Sequence, residues 1–326
     1  TKLAALEIVN ADVNASAAIA GSKISPTFTT DGSFNSISIG KGANSVAGNT
    51  ALGENALDAS VSGGNNTAIG KDSLTDNTSG ASNVAIGVNC LQDNTTGSNN
   101  VAIGHGSLRL GETASNNTAV GRAVLNNCTG GNNTGLGYQV LNANTSGANN
   151  TGIGYNALVV NTTGTGGVAV GYRALDSNTT GNYNVAIGQD ALTANSTGTQ
   201  NMAIGVNAGM TITTGNYNTA IGPNSLRGTE VTGSHNVALG LQALNVITTG
   251  SENVSIGNYS SHKATTATNN VAVGYAALND TTTGANNVAI GRDALLENTT
   301  ASNNTAVGKS ALGVNTTGHS NIAVGH

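Results

Sequence analysis

The amino-acid sequence predicts an all-β protein, a parallel β-solenoid of about seventeen 17-residue rungs spanning residues 36–326, with a different segment over residues 1–35. Three observations predict it: a short block recurs at fixed spacing, side chains alternate within that block, and turn residues follow it at a constant distance. The block reads Asn-Val-Ala-Ile-Gly, and its final glycine recurs 18 times from Gly40 to Gly325. Of the 17 intervals between these glycines, 14 are 17 residues long and the others are 13, 16 and 18. A fixed period near twenty residues is the mark of a solenoid, in which each unit stacks on its neighbours. At roughly 4.8 Å per rung the stack would be on the order of 80 Å long.

With each block glycine as position zero, the elements can be taken in order. Position −1 is always aliphatic, −2 is always Ala, Ser or Gly, and −3 is Val, Ile, Thr or Met. Position −4 is Asn except at Ser36 and Gly167. This stretch of β-branched and small residues between Asn and Gly predicts a strand whose −1 and −3 side chains face one way and −2 and −4 the other. Position +4 is Leu in 14 of the 17 units that reach it, failing at Asn44, Gly209 and Ser261. The Ala-Leu step at +3 and +4 predicts a second short strand whose Leu points back at the −1 aliphatic. A turn such as Asn94-Thr95-Thr96-Gly97 follows, with Gly most often at −7, where positive φ is cheap.

Two large aliphatics per rung make a thin core, so further apolar contact is expected from elsewhere. The uncharged −2 row supplies a candidate: on the face pointing away from the coil it would let another backbone approach closely. The interface candidates are Ala68, Ala85, Ala102, Ala119, Ala186, Ala203, Ala220, Ala289 and Ala306. Asn at −4 would lie on the same side and form a rung-to-rung ladder. The alternative is that −2 lies inside a cramped coil and no partner exists.

Composition excludes several functions. Charged residues are 8% of the chain, against about 25% in ordinary soluble domains. A net charge of −5 lacks the basic stripe that nucleic acid requires. No run of eighteen apolar residues is present, so no membrane-spanning helix is expected. The five His residues occupy scattered phases, and no paired acidic or nucleophile motif stands out, so neither catalysis, a metal nor a cofactor is expected. Asp72, Asp190 and Asp293 share position +2 and read as solubilising surface residues, while Cys90 and Cys128 read as inert buried thiols. Tyr138, Tyr155 and Tyr172 follow the block glycine in three consecutive rungs. They read as an aromatic stack supporting the rod or, with Tyr259 and His262, as a glycan-contacting strip. Asn-x-Thr sequons recur at Asn94, Asn161 and Asn315, where repeat grammar and glycosylation compete as explanations.

The pattern resembles the YadA-like head of trimeric autotransporter adhesins. The block Asn83-Val84-Ala85-Ile86-Gly87, its copy Asn287-Val288-Ala289-Ile290-Gly291 and the following Ala294 carry the likeness, which runs from about Ser36 to the end. The resemblance implies a left-handed parallel β-roll of three chains. The repeat here is longer than the adhesin unit by its Asn-Thr-Thr-Gly extension. The stretch Asp12 to Ile24 resembles a connector of bacteriophage tail fibres, and the lack of an anchoring barrel or a chaperone segment favours a fibre piece over a cell-anchored adhesin. The expectation is therefore a homotrimeric shaft or head of a viral tail fibre, extracellular on the virion. It would join other tail components through residues 1–35 and touch host surface glycans. A bacterial adhesin head and a monomeric ice- or surface-binding solenoid are the rivals.

Overall fold

A computed structural model describes residues 32–34, 37–59 and 61–326. The expected connector lies outside them, apart from strand β1 (Gly32–Phe34). β1 pairs antiparallel with β2 (Ile37–Gly40), and β2 pairs antiparallel with β3 (Thr50–Gly53). From β3 to β19 (Ile322–Val324) every strand pairs in parallel with the strand one repeat away. The register is strict: Val185 faces Met202, Ala186 faces Ala203 and Ile187 faces Ile204. The result is a parallel β-solenoid of sixteen coils with almost no helix beyond one 3-10 turn at Ala43–Ser45.

Each coil bends where the sequence permits. The block glycine sits at φ between about +120° and +150°, as at Gly137 with φ +136°, and a Cβ there would collide with the carbonyl oxygen of Gly154 in the next coil. Three further corners per coil are left-handed, at positions +2, +4 and −5. The Ala-Leu step is thus a turn and not the second strand the sequence suggests. All fourteen Leu residues at +4 have φ between +48° and +53°. That conformation costs a residue with a Cβ about 1–2 kcal/mol, and burial of the Leu side chain offsets it: Leu74, Leu91 and Leu141 are fully buried. The corners also tie coils in both directions. The N–H of Asp72 at +2 donates to the carbonyl of Glu54 in the preceding coil, at 2.9 Å. The N–H of Leu74 at +4 donates to Cys90 in the following one, at 3.0 Å.

The interior reverses the expected assignment of faces. Position −2 points into the coil, where Ala68, Ala85, Ala102, Ala119, Ala186, Ala203, Ala220, Ala289 and Ala306 are all 0% exposed within a single chain. These residues cannot line an interface with another copy, because the Leu row of their own coil covers them. The physical reason is width. A 17-residue coil with four tight corners leaves room opposite each Leu for a methyl group only. Where the neighbouring +3 residue grows, even that methyl disappears. Val124 and Val140 occupy +3, and Gly135 and Gly152 stand at −2 one coil later; a Cβ on either glycine would strike the Cγ1 of the corresponding valine.

The other half of the interior is polar and hydrogen-bonded. The −4 asparagines form the expected ladder, but inside the coil. The N–H of Asn83 donates to Oδ1 of Asn66 at 2.9 Å, and the Nδ2 of Asn83 donates to the Gly97 carbonyl at 2.8 Å. A second ladder runs through the +7 asparagines Asn144, Asn161, Asn178 and Asn195, the Nδ2 of each of the last three donating to the preceding Oδ1 at 2.7–2.9 Å. It stops where Ile212 takes the next +7 position, and Oδ1 of Asn195 is buried without a partner. The same happens at Asn94, whose successor is Gly111. A ladder of this kind satisfies every amide except its last acceptor, so each interruption leaves one orphan. The sequons fall under this geometry: Asn94 and Asn161 are 0% exposed, which bars a glycan from them in the folded chain, while Asn315 is half-buried.

Candidate functional site

If −2 and −4 point inward, −1 and −3 must point outward. These two rows carry the large aliphatic residues, and they lie on the surface. Ile86 is 36% exposed, Ile187 39%, Ile290 41% and Leu136 47%. The −3 row beside them is half-buried Val and Thr for most of its length. Neither row contains a charged residue in any rung from Thr50 to Val324. Together they expose on the order of 1,000 Å² of apolar side chain, above the 300–600 Å² of the largest patch on a typical monomer and comparable with the ~800 Å² per partner of a standard interface. Sequence reading placed these residues in the core because large aliphatic side chains normally go there.

Rows +1 and −5 border this face. In β7 (Thr118–Arg122), β8 (Thr134–Tyr138) and β9 (Thr151–Tyr155) the strand continues through the glycine, so alternation puts +1 on the same side as −1. There Tyr138, Tyr155 and Tyr172 form a continuous stack, with ring centroids 5.1 and 5.4 Å apart and planes within 7° and 13°. The Arg122 guanidinium lies 5.8 Å from the Tyr138 ring centre. A sugar stacks on an aromatic face, and both faces of Tyr155 are taken by its neighbours. What the stack offers solvent is ring edges and hydroxyls, which fits the supporting role better than a glycan platform. On the −5 side, Tyr217 stacks on His235 at 4.8 Å. Tyr259 meets His262 and Tyr275 edge-on, each at 5.9 Å, and Arg292 lies over Tyr275 at 5.5 Å.

Ionic groups are confined to the flanks. Lys71 pairs with Glu54 at 3.0 Å and Lys263 with Asp280 at 2.8 Å, both between adjacent coils. Asp72 accepts from Asn55 at 2.8 Å, Asp293 pairs with Arg292 at 3.0 Å, and Asp190 lies 3.9 Å from Arg173. Burial and the adjacent Lys263 hold His262 below the usual histidine range. Cys90 and Cys128 are free and fully buried; Cys90 donates to the carbonyls of Gly104 and Ile86, and burial raises its thiol to about 11, far from the reactive thiolate range. Among the described residues no three His, Cys, Asp or Glu side chains group as a metal site would require, and no helix is long and apolar enough to cross a membrane. No family model matches the chain, and no curated protein matches it.

Proposed function

We propose that this chain is the shaft or head of a viral tail fibre, a homotrimer whose work is mechanical. Stacked coils tied by backbone and amide ladders make a stiff rod, and that rod holds or presents contacts to a host cell surface away from the particle. The observation that carries the reading is the uncharged aliphatic face formed by rows −1 and −3. A water-exposed sheet face of this length is costly to leave bare. Its rungs recur at ~4.8 Å, a spacing that a second copy of the same chain matches coil for coil and a globular partner does not. Residues 1–35 would join other tail components, and half-buried flank residues such as Tyr259 and His262 would touch surface glycans weakly and many times over.

Sedimentation equilibrium tests the reading. The chain has a mass of 32.0 kDa, and a species of about three times that mass is expected. Replacing Ile187 and Ile204 together by Lys should convert it to a folded monomer, whereas a wild-type chain that is monomeric at micromolar concentration would overturn the proposal. One observation favours the rival surface-binding reading: an exposed row of Thr at position +9, including Thr163, Thr180, Thr197, Thr266 and Thr283, runs along another face. That reading requires a monomer that inhibits the growth of ice crystals, and the same mass measurement separates the two.

A further inference from the structure

The two borders of the aliphatic face carry a rung-by-rung correspondence. Eight of the seventeen parallel rungs have Asn at −5, and in all eight the residue at +1 is Lys, Arg, His or Tyr. Examples are Asn65 with Lys71, Asn116 with Arg122, Asn149 with Tyr155 and Asn286 with Arg292. Among the other nine rungs only Tyr172 and His326 are of that kind; their companions include Val88, Val206, Pro223 and Leu241. Local conformation accounts for Asn at a left-handed −5 corner, since Asn tolerates positive φ. It does not account for which rungs have Asn. Nor do the two residues meet within one chain: the three-residue strand at −3 to −1 stands between them, and six residues of chain span at most about 20 Å.

The single chain also leaves these amides unused. Among the described residues, none of the eight −5 asparagines makes a side-chain hydrogen bond, whereas the ladder asparagines at −4 and +7 do. All eight stand exposed beside the aliphatic face.

Geometry supplies the meeting point. Positions −5 and +1 lie equally far on either side of −2, the midline of the face. When parallel copies pack this face around an axis along the rod, rotation carries the +1 border of one copy onto the −5 border of the next at the same height. This holds for two copies or three. An antiparallel pair would set +1 against +1 at unrelated rungs, and the correspondence would have no cause.

We infer that the copies pack parallel and in register, with the +1 side chain of each Asn rung donating to the −5 amide carbonyl of the neighbouring copy. The inference rests on the self-association reading and specifies its partner, symmetry and register. The two rows of donor–acceptor pairs form polar rails on either side of the aliphatic strip. Asn accepts from Lys, Arg, protonated His and Tyr hydroxyl alike, so one residue type serves every donor. A slip by one rung would set Glu54 against Asn65 and Val88 against Asn99, losing the pairs that these two asparagines make in register.

Cysteine cross-linking with a short bifunctional maleimide tests it. The two native thiols are buried and stay silent. Arg292→Cys/Asn286→Cys and Lys309→Cys/Asn303→Cys should each give covalent oligomers, since the two sites within a chain are too far apart to link. Lys309→Cys/Asn65→Cys, which uses the same rows fourteen rungs apart, should give none. Circular dichroism confirms that each variant is folded. An oligomer by sedimentation that fails to link at the matched sites, or that links at the mismatched ones, overturns the register while leaving self-association standing. A monomer by sedimentation overturns both.

Discussion

Two coils lose the Leu at +4, and they resolve the loss differently. In the coil that begins at Gly205 the position is Gly209, and Ile212 three residues later is fully buried within 3.0 Å of where a Gly209 Cβ would stand. One aliphatic residue has moved along the coil to refill the volume another vacated. In the coil that begins at Gly257 the position is Ser261, and the inward positions around it are Ser255 and Ser260, whose hydroxyls share a 2.6 Å hydrogen bond. The Ser261 Oγ is buried with no partner. The difference is visible in the core as a whole. A continuous apolar cluster runs from Ala51 through the Gly209 coil to Ala267, and a second begins at Ala272. Refilling a gap with carbon preserves the column, while filling it with hydroxyls cuts the column in two.

The contrast can be broken at either coil. The largest expected effect is Ile212→Ala, which removes the compensating side chain beside a glycine and should cost about 2–5 kcal/mol, read as a fall in the denaturation midpoint. Ser261→Leu should act in the opposite sense, restoring the buried row and eliminating the orphaned hydroxyl, with a gain of about 2 kcal/mol in the same measurement. No gain would mean that the Ser coil has closed around its smaller side chains. Ser260→Ala should cost about 1 kcal/mol by stranding the Ser255 hydroxyl, whereas Ser255→Ala should come out near neutral, because the Ser260 hydroxyl keeps its bond to the Gly257 carbonyl. Amide hydrogen exchange ranks the coils directly: residues 257–274 should exchange faster than residues 205–222. The smallest effect concerns His262, next to Ser261. Burial lowers its folded pKa, so the fold favours the neutral ring. Its contribution is complete above the unfolded value of about 6.5 and declines as pH falls below it, because the unfolded chain takes up the proton first. His262→Gln should flatten that dependence in stability measured between pH 7 and 5.

Much of the fold was legible because a repeat states its own period. The rung length, the strand block and the turn glycines follow from the spacing of Gly40 to Gly325. Which face of the strand is interior was not legible from alternation, since period two gives two faces without labelling them. The rule that large aliphatic residues go inside then chose the wrong one, placing Ile86 within and Ala85 without. One signal in the sequence points the other way. Glycine replaces alanine at −2 only at Gly135 and Gly152, each one coil after a valine at +3. Such an exchange of volume is expected only of residues that touch in a closed interior. The outer face was missed for the same reason, and with it the apolar surface that the proposed assembly would cover.

The left-handed Leu corner sets a rule for what the column can tolerate over time. A side chain at +4 must fill a pocket and also accept a backbone twist that suits glycine and asparagine. Leucine meets the first demand and strains against the second; the three exceptions, Asn44, Gly209 and Ser261, abandon the pocket, and of them Asn44 and Gly209 also relax the strain. Isoleucine and valine, which would fill the space as well as leucine, never occur there in seventeen opportunities. Branching at Cβ makes positive φ prohibitive. Substitution at this site therefore has no gradual route through similar aliphatic residues: a lineage keeps leucine or accepts a hole and repairs it elsewhere, as the Gly209 coil has done with Ile212.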